Sequence, residues 1–158
     1  MNYTTFKNLQ LEEYLYEDLP SEADINAAEA ILKVSFPFTY RQLLLVGAGW
    51  SPMNLRVRLK SGYQPGFRCF NHVFLDSDAG HKVNVSELEA WGYGDRLLQF
   101  ADNGGGVRYC LDYRFKPDDP PVVLVFPSEE DGSEDAVTKI ADHFDDFLAK
   151  YTVPLNKA

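Results

Sequence analysis

The sequence predicts an α+β domain. Three observations carry that reading: apolar residues at helical spacing in the first third, strict period-two alternation in the middle, and a helical stripe near the end. Helices, then strands, then a helix is not the repeating strand–helix order of a parallel sheet. At 158 residues one domain, 1–158, is expected, long enough to bury a core without staples.

Each element has its own signal. "TTFKNLQLEEYLYED", residues 4–18, is a weak candidate for a first helix. "SEADINAAEAILKV" is a stronger one. Ser21 can cap it with Asp24 three residues on, and Ile25, Ala28 and Leu32 form the apolar stripe. Pro37 stops that helix near Ser35 and Phe36 and opens the next, "PFTYRQLLLV", which Gly47 ends. "LRVRLK", residues 55–60, alternates Leu55, Val57 and Leu59 with Arg56, Arg58 and Lys60, the pattern of a strand. Its basic row is either a phosphate site or, the favoured reading, the solvated face of a strand or an edge guarded by charge against aggregation. "FRCFNHVFL", residues 67–75, is a further strand, and Ser86 with Glu89 has the spacing of a helix-opening capping box.

"LLQFADNGGGVRYCLDY", residues 97–113, poses a choice between a phosphate cradle and a strand corner. A phosphate loop must open a helix. Here Val107, Tyr109, Leu111 and Tyr113 alternate with Arg108, Cys110 and Asp112, so a strand follows and the glycines form a hairpin. Asn103 and the glycines tolerate the positive φ of such corners; if Gly105 holds one, a β-branched residue there is strained. "VVLVF", residues 122–126, is a strand covered on both faces. From Ser133 on, Val137, Ile140, Ala141, Phe144, Phe147, Leu148 and Tyr151 predict one closing helix, with Phe144 and Phe147 against the sheet.

Charge and chemistry narrow the function. The net charge is −9; residues 1–50 hold seven acids and three bases, 51–100 five and six, 101–158 twelve and six. Such a field repels nucleic acid and attracts basic partners, or serves solubility alone, and on charge by itself solubility is the favoured reading. Neither a basic-then-apolar leader nor a membrane-length apolar run is visible, so a cytoplasmic protein with reduced Cys69 and Cys110 and no membrane partner is expected. Asp76, Asp78 and Glu87 fall at positions 1, 3 and 12 of a calcium loop, but Gly80 and His81 occupy positions that need a ligand and a glycine, so no metal is expected. Cys110 with His143 or His72 has no nucleophile signature, and no catalytic residue or cofactor is expected. "SEEDGSED", residues 128–135, is either a solvated loop or a landing site for a basic protein.

Three blocks resemble the SUKH superfamily, the fold of bacterial toxin-immunity proteins and of a fungal cell-wall regulator. They are the helix with Ile25, Glu29 and Leu32 followed by "FPFTYRQLLLVGAGW", then "FADNGGGVRYCLD", then "IADHFDDFLAKY". The likeness covers about residues 21–151; Gly47-Ala48-Gly49 stands for the usual Asn-Gly-Gly, and His143 for a small serine. The resemblance implies a single, mainly antiparallel sheet flanked by N-terminal helices and a C-terminal helix. It implies a non-enzymatic binding module that neutralises a cognate toxin, nuclease toxins included. A cytosolic scaffold of the same fold is the alternative, and a small-molecule binder or hydrolase around Trp50, Tyr63, Trp91 and Tyr93 a third reading. The expected partner is a basic protein, a toxin domain. The candidate partner-binding residues are Glu129, Glu130, Asp131, Glu134 and Asp135, with Trp50 and Asp112 from the Gly-containing blocks.

Overall fold

The structure, a computed structural model, describes residues 2–14, 18–71, 96–127 and 136–155, and the backbone of 75–76 and 80–81. Its elements in chain order are β1 (Tyr3–Phe6), β2 (Leu9–Glu12), α1 (Glu22–Leu32), α2 (Phe38–Gly47), β3 (Ser51–Pro52), β4 (Cys69–Phe70), β5 (Leu75–Asp76), β6 (Gly80–His81), β7 (Leu97–Asp102), β8 (Arg108–Asp112), β9 (Val122–Val125), β10 (Val137–Ala141) and α3 (Phe144–Tyr151). The class is α+β. The strands do not form one sheet: a five-stranded antiparallel sheet, ordered β10-β9-β8-β7-β4, stands beside a three-stranded one, β1-β2-β3, and a β5-β6 ribbon.

The second sheet exists because residues 3–12 do not start the helix expected within 4–18. They form a hairpin in which Tyr3 faces Glu12 and Phe6 faces Leu9. Lys7 and Asn8 turn the corner at φ 47° and 66°. Leu9 and Leu11 are buried while Gln10 and Glu12 are only partly so, the alternation of a one-sided strand.

α1 follows its sequence signals. Ser21 accepts from the Asp24 amide at 3.1 Å and the Asp24 carboxylate accepts from the Ser21 amide at 2.9 Å, a complete capping box. The helix ends at Lys33, in the left-handed conformation at φ 58°. α2 begins after Pro37. Glu29 joins the two helices: it pairs with Arg41 and accepts the Phe36 amide at 2.7 Å, while Arg41 also donates to Asn26 at 2.8 Å.

The main core lies between the five-stranded sheet and helices α2 and α3. Phe100 meets Phe144 and Phe147 edge-on at 5.3 and 5.5 Å, and Tyr40 of α2 meets Phe144 at 5.3 Å. Phe144 and Phe147 are buried, as expected of that stripe. β9, flanked by β8 and β10, is buried along its whole length.

Three further segments depart from expectation. The closing helix starts at Phe144, not near Ser133, because Val137–Ala141 is an edge strand paired with β9. Val137, Ile140 and Ala141 stand three and one residues apart, which imitates helical spacing, and the strand absorbs the break in period two as a register shift between Lys139 and Ala141. Residues 55–60 form no strand; one bridge joins Leu55 to Thr152. Leu55 and Val57 are nonetheless buried between exposed Arg56 and Arg58, since any extended segment lying on a core alternates its side chains. Strand 67–75 is realised at Cys69–Phe70, and Leu75 belongs to the separate ribbon. The helix proposed from Ser86 lies outside the described residues.

Asn54 clasps three parts of the chain. Its side-chain oxygen accepts the Gln10 amide at 2.7 Å, and its nitrogen donates to the carbonyls of Asn8 and Val153 at 2.8 and 2.7 Å.

Candidate functional site

The glycine-rich stretch is a strand corner. β7 and β8 pair antiparallel from Leu97↔Asp112 to Asp102↔Arg108, with the glycines at the turn. Gly104 and Gly106 hold φ of 78° and 100°; Gly105 does not lie in the left-handed region, so the strain falls on its neighbours. Asn103 organises the corner by accepting the Gly105 and Val107 amides at 2.8 and 3.0 Å.

Beside this corner lies a polar cleft of about 450 Å³ lined by Arg68, Asn71, Gln99, Asp102 and Arg108 with Gly104 and Gly106. Pairing of β4 with β7 sets Cys69 opposite Asp102, which brings the preceding Arg68 to the carboxylate. Arg68 grips Asp102 through two parallel bonds of 2.7 and 2.8 Å. The chain of contacts continues from Gln99 Nε2 to Asn71 Oδ1 at 2.9 Å and from Arg108 Nη1 to Gln99 Oε1 at 2.7 Å. The Gly104 amide donates to Asp102 at 2.8 Å. Burial works to raise the Asp102 carboxyl, but the bonds from Arg68, Gly104 and Asn71 outweigh it and hold it below the usual carboxylate range. Two guanidiniums against one carboxylate leave this lining net positive. It offers hydrogen-bonding groups to a ligand and contains no nucleophile.

The two thiols are not poised for chemistry. Burial pushes both Cys69 and Cys110 up, and Cys110 is fully buried within the sheet. His143 pairs with Asp119 at 2.8 Å on the surface instead of facing Cys110. Among the described residues no cluster of three His, Cys, Asp or Glu side chains could hold a metal ion. The calcium-like run and His72 lie outside the described side chains.

The predicted partner-binding residues are not assembled into one described surface. Glu129, Glu130, Asp131, Glu134 and Asp135 lie outside the described residues. Trp50 belongs to the core, with its indole N–H buried and unpartnered. Asp112 is buried against Arg114, which holds it through two bonds of 3.0 Å. Tyr63 is exposed and packs on Phe126, apart from the buried Trp50, while Trp91 and Tyr93 lie outside the described residues. Sequence reasoning missed Arg68, Asn71, Gln99 and Arg108. The available signal was Arg108 between Val107 and Tyr109, a cation on the strand face opposite the aromatic core.

The sequence model of the SMI1 / KNR4 family (SUKH-1) matches residues 19–150. The chain belongs to this family. No curated protein matches it. The SMI1/KNR4 match runs from just before α1 almost to the end of α3, so the cleft lies within it and the β1–β2 hairpin precedes it. No helix among the described residues of this SMI1/KNR4 chain is long and apolar enough to cross a membrane.

Proposed function

We infer that this SMI1/KNR4 chain is a non-enzymatic protein-binding module that acts as an immunity protein, neutralising a toxin by direct binding in the cytoplasm. The match over residues 19–150 carries this reading. The described chemistry supports it: the thiols are buried, His143 is engaged at the surface, and the cleft's polar groups bond one another. The net charge of −9 suits a basic toxin domain, a nuclease among them, because nucleic-acid enzymes carry positive surfaces. Glu129, Glu130, Asp131, Glu134 and Asp135 are the acids proposed to steer it.

The test is association kinetics with the toxin encoded beside the gene, at low and high salt. Reversing Glu129, Glu130 and Asp131 to Lys should slow association and flatten its salt dependence, since screening acts over about 8–10 Å at physiological strength. Unchanged association at low salt would remove the acidic stretch as the docking surface. Failure of the parent chain to bind or protect would remove the immunity reading and leave the scaffold.

A further inference from the structure

A second described surface, besides the cleft, carries the sign opposite to the chain's net charge of −9. A groove of about 600 Å³ opens where the extended segment 56–60, β10 and α3 meet. Its rim carries Arg58, Lys60, Lys139 and Lys150, one or two cations from each element. All four are exposed. Lys139 pairs with Asp142 at 2.7 Å, a contact between two exposed side chains that holds little energy. Among the described residues no carboxylate pairs with Arg58, Lys60 or Lys150.

The floor is apolar and already satisfied. Leu59, Ile140 and Tyr151 line it. The Tyr151 hydroxyl donates to the Ile140 carbonyl at 3.2 Å, and the Lys150 ammonium reaches the same oxygen at 3.4 Å. That ammonium also sits 5.2 Å from the Tyr151 ring centre, which holds a cation beside the apolar floor. The floor therefore asks for apolar surface, and the rim for negative charge.

We propose that this groove docks an acidic segment of a protein partner, an apolar side chain seated on Leu59, Ile140 and Tyr151 and flanking carboxylates on the four cations. Charge complementarity singles out the occupant. A long polyanion such as nucleic acid feels the whole chain's −9, whereas a short acidic segment meets mainly the local cations. Leu59 is the half-buried member of the floor and takes most of the apolar contact, whereas Ile140 and Tyr151 are nearly covered, which leaves little aromatic face for a stacked base. The groove's volume suits a few side chains. The groove residues are different residues from the acids proposed for the toxin, so variants of one set test one reading without touching the other.

The probe is a fluorescent peptide, Glu-Glu-Leu-Phe-Glu-Glu, titrated into the full chain while backbone amide shifts are followed. Shifts should concentrate at Arg58–Ser61, Thr138–Ile140 and Lys150–Tyr151 and fade with salt. The double variant Lys60→Glu, Lys139→Glu should weaken binding by about tenfold or more, because like charges then face each other. Its melting temperature should stay at the parent's, since both side chains are exposed. Arg58→Gln, a milder change, should weaken binding less and in the same direction. The proposal fails if the Gln-for-Glu peptide binds equally, if the shifts fall elsewhere, or if the double variant binds like the parent. It fails equally if a DNA duplex, a phosphatidylserine vesicle or a second copy of the chain moves the groove amides while the peptide does not.

Discussion

At the residue scale, the glycine corner shows where backbone conformation decides identity. Gly106 sits at φ 100°, where a Cβ would stand 3.6 Å from Pro127 Cγ, so the space is adequate and the backbone is the obstacle. Gly106→Ala should destabilise by about 1–2 kcal/mol. Gly105→Ala should change stability by no more than about 0.5 kcal/mol, since its Cβ would meet only Asn103 at 3.6–3.9 Å. Chemical denaturation of the pair checks both. Asp102 makes a second case, through protons. Its carboxyl is held low in the folded chain, so it contributes stability above its unfolded pKa and loses it as pH falls through the folded value. Asp102→Asn should therefore be less stable than the parent at neutral pH, with the gap closing in acid. A gap that stays constant down to about pH 2 would show that the ionised form plays no part.

At the element scale, α3 and β10 explain both a success and a miss. The aromatic stripe of α3 was legible because Phe144, Phe147 and Tyr151 keep helical spacing and all are buried. Phe147, fully buried among Phe100, Tyr109 and Tyr151, should cost about 3–5 kcal/mol on replacement by Ala, read from the urea midpoint. β10 was not legible: its bulge breaks period two, and the strand's apolar residues merged with the helix's stripe. The N-terminal hairpin escaped for a different reason. Its corner uses Lys7 at positive φ, a residue with no turn preference, so only Asn8 marked it. By contrast, Ser21 with Asp24, and Asn103 with its glycines, are local devices whose chemistry needs no distant partner, and both were read correctly.

At the scale of the whole molecule, what the sequence concealed was what the fold brings together from afar. Arg68 and Asp102 are 34 residues apart, and Gln99 and Asn71 28, so no window along the chain reveals the cleft. The cationic groove is similar, since only its Arg58 and Lys60 edge showed as a row. Asn54 is the clearest case, joining the N-terminal hairpin to the chain beyond α3. Asn54→Ala leaves the Gln10 amide and two carbonyls to find other partners, and should destabilise by about 1–3 kcal/mol in thermal unfolding. The same side chain sets an order of events during synthesis. A ribosome delivers about 5–20 residues each second from the N-terminus, so β1 and β2 emerge on the order of ten seconds before Val153. Until Val153 arrives the clasp is incomplete, and the nascent hairpin stands open to chaperones and proteases.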